Sequence, residues 1–234
     1  MLSNSFKWKH FAGEIILLNV RWYLKYALSY KNLEEIMTER GIKVDHTTIM
    51  RWVHQYSPEI EKKIRRQLRP TNNSWRVDET YIKVKGKWKY LYRAVDSDGD
   101  TIDFMLSAKR NRKAAKRFLK KALDLNHNQM PRVITVDKNP AYPIAINELK
   151  NEKNLSENVE IRQVKYLNNI IEQDHRSIKR IIAPMLGFQD FCSASKILKG
   201  IEAMNIVKKG QIKNFNYSAL EEAKCINQLF GLVP

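Results

Sequence analysis

Near residue 75 the spacing of the apolar residues changes from helical to strand-like, and that change constrains the fold of this chain more than any other sequence feature. Before it, apolar residues recur at helical spacing, as at Phe11, Ile15, Leu18 and Trp22. From Trp75 to Ser107, the spacing is that of strands separated by turns. A helical segment followed by a strand-rich one predicts a small all-α domain ahead of an α/β domain.

The first segment predicts three helices, over residues 10–26, 29–40 and 45–56. Ser29 and Asp45 are suited to cap the second and third helices, and Gly41 to end the second. Two short helices joined by a tight, glycine-containing turn are typical of a helix-turn-helix, although an ordinary helical hairpin gives the same pattern.

The third predicted helix has the composition of a DNA-reading helix. Its apolar residues Ile49, Trp52 and Val53 are expected to face the core. The side chains left facing outward are hydrogen-bonding groups that can read base edges in a major groove. These predicted DNA-binding residues are Thr47, Thr48, Arg51 and His54.

A basic stretch lies between Pro58 and Pro70 and predicts a helical linker. Lys62 and Arg66 are its predicted phosphate contacts, and a solvated charged helix is the alternative. The whole chain carries 42 basic and 25 acidic residues, a net charge of +17. Such an excess favours a nucleic acid as partner, because phosphates neutralised by Lys or Arg release counterions.

The second segment predicts three antiparallel strands followed by alternating helices and strands. This order predicts an RNase H-like mixed sheet with flanking helices, of the α/β class. The strands are expected at 75–84, 88–96, 101–107, 133–136 and 159–164, and the helices at 111–125, 140–150, 167–182 and 193–209. The predicted domains are a helix-turn-helix domain (1–57), a basic linker (58–74), an RNase H-like catalytic domain (75–210) and a C-terminal tail (211–234).

Three acidic residues stand where an unsupported carboxylate would be costly. Asp78 interrupts the first strand, Asp137 closes the apolar strand 133–136, and Glu172 lies on a predicted helix, with 34 residues between it and Asp137. Carboxylates that converge need a cation, and all-oxygen ligands suit Mg²⁺ or Mn²⁺. Two such ions can clamp the attacking and leaving oxygens of a phosphoryl transfer. Scattered surface acids in ion pairs are the alternative.

The segments around these acids resemble the IS-six family of bacterial insertion-sequence transposases, over about residues 6–212. The matching segments include His46–Val53, Trp75–Trp88, Tyr90–Asp96, Val136–Tyr142, Lys165–Arg176, Ile178–Arg180 and Lys199–Glu202. Val136 and Asn139 depart from the residues expected beside the second aspartate, but no expected acid is replaced.

This resemblance implies that Asp78, Asp137 and Glu172 form the metal-binding Asp–Asp–Glu (DDE) triad, with two divalent ions. Lys179 matches the basic residue seven positions after the glutamate, where it would hold a terminal phosphate. The implied partners are double-stranded DNA, as terminal inverted repeats and target, and at least one further copy of the chain. Replicative, cointegrate-forming transposition is the implied outcome.

Two other functions fit the same features. A catalytically inactive, transposase-derived DNA-binding protein would keep the helix-turn-helix and the basic charge but would not need the three acidic residues. A nuclease without strand transfer would need the acids but not a reader of terminal repeats.

The remaining sequence features predict a soluble protein in the bacterial cytoplasm, associated with the nucleoid. Cys192 and Cys225 are too far apart to form a CxxC metal pair. The early apolar stretch Ile15–Val20 is shorter than the roughly 20 residues needed to span a bilayer. Neither a metal site built on cysteine nor a membrane partner is therefore expected.

Overall fold

The computed structural model describes residues 5–7, 9–164 and 169–232. The chain divides into two compact units, Met1–Leu68 with Ile178–Pro234, and Arg69–Ser177. Its elements are α1 (Gly13–Lys25), α2 (Tyr30–Glu39), α3 (His46–Arg65), β1 (Ser74–Val84), β2 (Lys87–Asp96), β3 (Thr101–Ser107), α4 (Arg112–Leu123), β4 (Val133–Val136), α5 (Ala141–Asn151), β5 (Glu160–Gln163), α6 (Asn169–Ile182), a 3₁₀ turn (Ala183–Met185), α7 (Phe191–Lys208) and α8 (Ala219–Leu229). The predicted start of α6 at residue 167 lies outside the described residues.

The predicted caps of the N-terminal helices are confirmed. The Ser29 hydroxyl accepts a hydrogen bond from the Asn32 backbone N–H at 3.1 Å. The Asp45 carboxylate accepts one from the Thr47 backbone N–H at 2.8 Å. Gly41 has a φ of 75°, the left-handed conformation that ends α2.

Helix α3 is longer than predicted, because it continues through Pro58 to Arg65. The predicted linker helix is therefore the second half of α3. Proline removes one backbone hydrogen bond from a helix, and we expected a break there. The apolar stripe nevertheless continues at Ile60 and Ile64, both fully buried, and their burial stabilises the continuous helix.

The C-terminal helices pack with the N-terminal ones, an arrangement that the predicted domain limits do not describe. Helix α7 packs on α3 and α1. Helix α8 lies where a tail was expected, and its Glu222 is fully buried. The Glu222 carboxylate pairs with Arg21 at 3.1 Å and Lys25 at 2.9 Å, both on α1. A buried carboxylate needs such partners, so these ion pairs tie α8 to α1.

The second unit is built on a five-stranded sheet in the order β3-β2-β1-β4-β5. Strands β1, β2 and β3 pair antiparallel, and β1–β4 and β4–β5 pair parallel. Helices α4 and α5 supply Phe118 and Tyr142 to a core with Trp75, Val77 and Tyr92 of the sheet. This topology confirms the predicted RNase H-like mixed sheet with flanking helices.

The β1–β2 turn lies one residue earlier than predicted, at Lys85–Gly86. Both residues have positive φ, 48° and 71°, as in the type I′ turns that connect two-residue hairpins. We expected Gly86–Lys87 because glycine adopts this conformation most readily. Lys85 adopts it too, although the position is strained for a residue with a side chain.

Candidate active site

Asp78 lies within β1, and Asp137 directly follows β4, the parallel strand next to β1. Strands β1 and β4 pair in register up to Arg76 and Thr135, and each aspartate comes two residues later. Both side chains are half-buried. The strand register therefore brings these two predicted ligands to the same edge of the sheet.

The Asp78 carboxylate is supported by a buried polar cluster. His175 Nε2 lies 3.2 Å from Asp78 Oδ2, and His175 Nδ1 lies 3.4 Å from a guanidinium nitrogen of Arg93. Arg93 stands opposite Asp78 on β2, is fully buried, and pairs with Asp174 at 2.6 Å. Since arginine can only donate, His175 accepts at Nδ1 and donates from Nε2 to Asp78.

Sequence reasoning assigned no role to Arg93, Asp174 or His175. Two signals could have found them: a lone arginine in the apolar run Leu91–Val95, and an Asp-His pair directly after Glu172-Gln173. A charged residue within a buried strand requires a partner, and the acidic and imidazole groups of α6 provide it.

The Asp137 carboxylate is held by a second cluster. Arg110 Nη2 donates to it at 3.1 Å, and the Asn139 backbone N–H donates at 3.0 Å. Arg110 also contacts the buried Glu79 carboxylate, to which the Tyr142 hydroxyl donates. Burial raises the pKa of Glu79, although the hydrogen bonds from Tyr142 and Arg110 oppose this rise. The hydrogen bond to Asp137 comes from the backbone of Asn139, so it does not depend on the side chain by which this position departs from the family pattern.

The third predicted ligand, Glu172, is exposed near the start of α6, and Lys179 is exposed two turns later on the same helix. The carboxylates of Asp78, Asp137 and Glu172 do not all lie within 4.8 Å of one another. Over residues 5–7, 9–164 and 169–232, the only three residues whose possible metal-ligating atoms lie within 4.8 Å of one another are Glu34, Asp45 and His46. In that group Asp45 caps α3 and Glu34 pairs with Lys31 at 3.0 Å, so helix capping and ion pairing account for it.

The predicted DNA-reading residues differ in exposure. Arg51 is exposed, whereas Thr47 and Thr48 are half-buried, and the Thr47 hydroxyl donates to the capping carboxylate of Asp45. His54 is half-buried and lines a cavity of about 650 Å³ in the first unit, together with residues such as Tyr30 and Met50. The predicted phosphate contacts Lys62 and Arg66 are exposed along the second half of α3.

Comparison with known proteins gives consistent results. A family model described as a DDE domain, DDE_Tnp_IS240, matches residues 72–211. The transposase for the insertion sequence-like element IS431mec of Staphylococcus aureus (strain Mu50 / ATCC 700699) is 37% identical over 206 residues, covering 88% of this chain and 89% of the relative. The transposase for IS257 in transposon Tn4003 of Staphylococcus aureus has the same identity and coverage.

Among solved structures, the magnesium complex of the HTLV-2 integrase catalytic core domain, in its dimeric form, is 18% identical with a TM-score of 0.46. It covers 63% of this chain and 99% of that domain. None of the described helices has the length and apolar character needed to cross a membrane. On its matched DDE domain and its identity to the staphylococcal enzymes, the chain belongs to the IS-six family of DDE transposases.

Proposed function

We propose that this transposase binds the terminal inverted repeats of its insertion sequence, cuts a strand at each end, and joins the freed 3′-hydroxyl to target DNA. The observation that carries the proposal is the pairing of β1 with β4, which sets Asp78 and Asp137 side by side at one edge of the sheet. Ligand sites of α/β sheets form at the carboxyl ends of parallel strands.

In this proposal, Asp78, Asp137 and Glu172 hold divalent metal, as two Mg²⁺ or Mn²⁺ ions. The donor set fits such ions, because all three groups are carboxylates, which are hard oxygen ligands. When bound, the ions would activate the attacking oxygen and neutralise charge on the leaving oxygen. His175 would orient the Asp78 carboxylate, as groups hydrogen-bonded to ligands do elsewhere.

Arg110 and Lys179 would contact DNA phosphates in the same proposal. The Arg110 guanidinium lies beside Asp137 and is one-third exposed, so it can also donate to a phosphate oxygen. Lys179 would hold the terminal phosphate of the element. We expect Lys179→Ala to impair joining of pre-cleaved ends more than it impairs binding to the repeat.

The triad is tested by replacing each acid with its amide. Asp78→Asn, Asp137→Asn and Glu172→Gln should abolish strand transfer and leave binding to the terminal repeat nearly intact, because each removes a ligand and not a DNA contact. Asp124→Asn, which changes an exposed acid at the end of α4, is the matched control and should retain full activity. Full strand transfer by any triad variant in Mg²⁺ would contradict the assignment.

Binding of the repeats is assigned to α3. Arg51→Ala should relax sequence preference at one position, at a cost of about 1–3 kcal/mol in cognate binding. Lys62→Ala and Arg66→Ala should weaken binding to all sequences and reduce its salt dependence. Competition against scrambled repeats at two salt concentrations separates these effects. If Arg51→Ala weakens binding to cognate and scrambled repeats equally, this would contradict the proposal that α3 recognises the repeat sequence.

Joining requires both ends of the element to be held together, so the proposal includes a dimer or a higher oligomer on DNA, and replicative, cointegrate-forming transposition. Analytical ultracentrifugation with paired end fragments tests the assembly, and the products of a transposition assay test the outcome. Wild-type protein that binds the repeats without cutting them would instead be an inactive transposase-derived DNA-binding protein.

A further inference from the structure

The hairpin of β1 and β2 extends beyond the rest of the sheet. The two strands pair with each other as far as Val84 and Lys87. Strand β3 pairs with β2 only from Tyr90 onward, and β4 pairs with β1 only up to Arg76. Within the described sheet, the end of this hairpin is therefore a two-stranded ribbon.

One face of this ribbon carries three aromatic rings. Residues directly opposite in an antiparallel pair share a face, so the pairs Tyr81–Tyr90 and Lys83–Trp88 lie on the same side. The Tyr81 ring centroid is 5.4 Å from that of Tyr90 and 6.2 Å from that of Trp88. Trp88 is 60% exposed and Tyr81 is 49% exposed. We call Tyr81, Trp88 and Tyr90 the aromatic face.

The surroundings of the aromatic face are strongly basic. Residues 80–92 include four lysines and no acid. Lys83 is exposed on the same side, and Lys85 is exposed at the turn in its strained conformation. Large exposed apolar side chains mark binding surfaces, and their lysine surroundings select a polyanionic partner.

Arg110 links the face of β1 that carries Tyr81 to the Asp137 carboxylate, whereas the Asp78 side chain lies on the opposite face of β1. Glu79 is two residues before Tyr81 and so lies on the same face of β1. Arg110 contacts both Glu79 and the Asp137 carboxylate. A DNA strand whose phosphates reach Asp137 and Arg110 could thus extend along the hairpin.

We propose that the aromatic face is a stacking site for unpaired nucleobases of DNA, with the flanking lysines contacting the phosphates. Successive bases of a single strand stack on exposed aromatic rings, whereas bases in a duplex are already covered by their neighbours. The site rests on the proposed function in one respect, that DNA is the substrate. Beyond the proposed function, we infer that a DNA strand that contacts Arg110 is held at the aromatic face with its bases unpaired.

The test compares two probes of equal phosphate number, a short oligothymidylate and a hairpin duplex, by fluorescence anisotropy. Trp88→Leu should weaken oligothymidylate binding about tenfold and leave duplex binding unchanged, since leucine is apolar but cannot stack as an aromatic ring does. Trp88→Phe, the matched control, should retain most of the affinity. Lys83→Gln should weaken binding to both probes, because it removes only charge.

A second readout is the quenching of tryptophan emission by oligothymidylate, which should largely disappear in Trp88→Phe. Equal weakening of both probes by Trp88→Leu, or weakening of neither, would overturn the stacking site. Normal strand transfer with unchanged oligothymidylate binding by Trp88→Leu would refute the stacking site alone. If the wild-type protein does not bind the terminal repeats but oligothymidylate still quenches its tryptophan emission selectively, the proposed function alone is refuted.

Discussion

At the scale of single residues, Arg93 is a charged side chain that is fully buried within a central part of the sheet, on β2. Its guanidinium is fully buried and contacts Asp174 and His175, both on α6. Burying charges is costly, and the cost is offset only where each group has close, well-directed partners. The cluster therefore fixes how α6 meets β2, and through His175 it fixes the orientation of Asp78.

Replacing Arg93 should reveal this dependence as a loss of stability. Arg93→Met should lower the free energy of unfolding by about 3–5 kcal/mol, because it leaves the Asp174 carboxylate buried without its arginine. Combining it with Asp174→Leu should recover much of the loss. Urea denaturation measures both effects, with Arg132→Met, at an exposed position, as the control. An effect of Arg93→Met no larger than that of the control would contradict this account.

His54 provides a prediction about pH. Burial lowers the pKa of His54 below its usual 6.5, and nearby Lys196 lowers it further, while Asp190 opposes this. The unfolded chain then binds the proton more readily than the folded protein, so stability should fall as pH drops below about 6.5. NMR titration of the imidazole, assigned with His54→Asn, measures the pKa directly. A value at or above 6.5 would contradict the buried position.

The sequence identified some of these residues and not others for a physical reason. Asp78 and Asp137 stood out because each is an acid in or directly after an apolar strand. Arg93 and His175 did not, because their roles depend on which face of α6 packs on the sheet. Helical periodicity indicates which residues of a helix are buried, but not which strand they contact.

At the scale of elements, the close crossing of α7 with α1 and α3 depends on Gly200. A Cβ atom at this position would lie 2.6 Å from a methyl carbon of Leu24 and 2.7 Å from Cβ of Ser57. Both distances are shorter than van der Waals contact, and the Ser57 backbone cannot move without shifting α3. The glycine is therefore required by packing, not by a turn.

Gly200→Ala should destabilise the protein by about 1–3 kcal/mol, the usual cost of overpacking a core. In an open helix the same change would be stabilising, because alanine has the higher helix propensity. The measurement is the urea midpoint, with Ser195→Ala on the same helix as the control. A stabilised Gly200→Ala protein would mean that the helices cross less closely than described.

At the scale of the whole molecule, the second unit is an insertion within the first. The strands and helices of residues 69–177 could be predicted to within a few residues, because their periods and turns are local signals. The association of α7 and α8 with the N-terminal helices could not, since it depends on contacts far apart in sequence, such as Glu222 with Arg21.

A fragment of residues 1–68 should therefore fail to fold alone, although it contains all three predicted helix-turn-helix elements. Without α7 and α8, the buried stripe of α3 loses its cover and becomes exposed to water. Adding a fragment of residues 178–234 in trans should restore helicity, measured by far-UV circular dichroism, whereas residues 69–177 have a core of their own. Cooperative unfolding of the isolated 1–68 fragment would contradict this prediction.

The inserted topology has a consequence for synthesis on the ribosome. Residues 69–177 emerge from the ribosome before α7 and α8 have been synthesised. The sheet with its aspartates can therefore form while α1–α3 still lack the helices that pack against them. A chain ended early by a nonsense codon or a frameshift near residue 180 would keep every predicted DNA-reading residue of α3. It would still lack the helices that support that reader, and we expect it to bind the terminal repeats poorly.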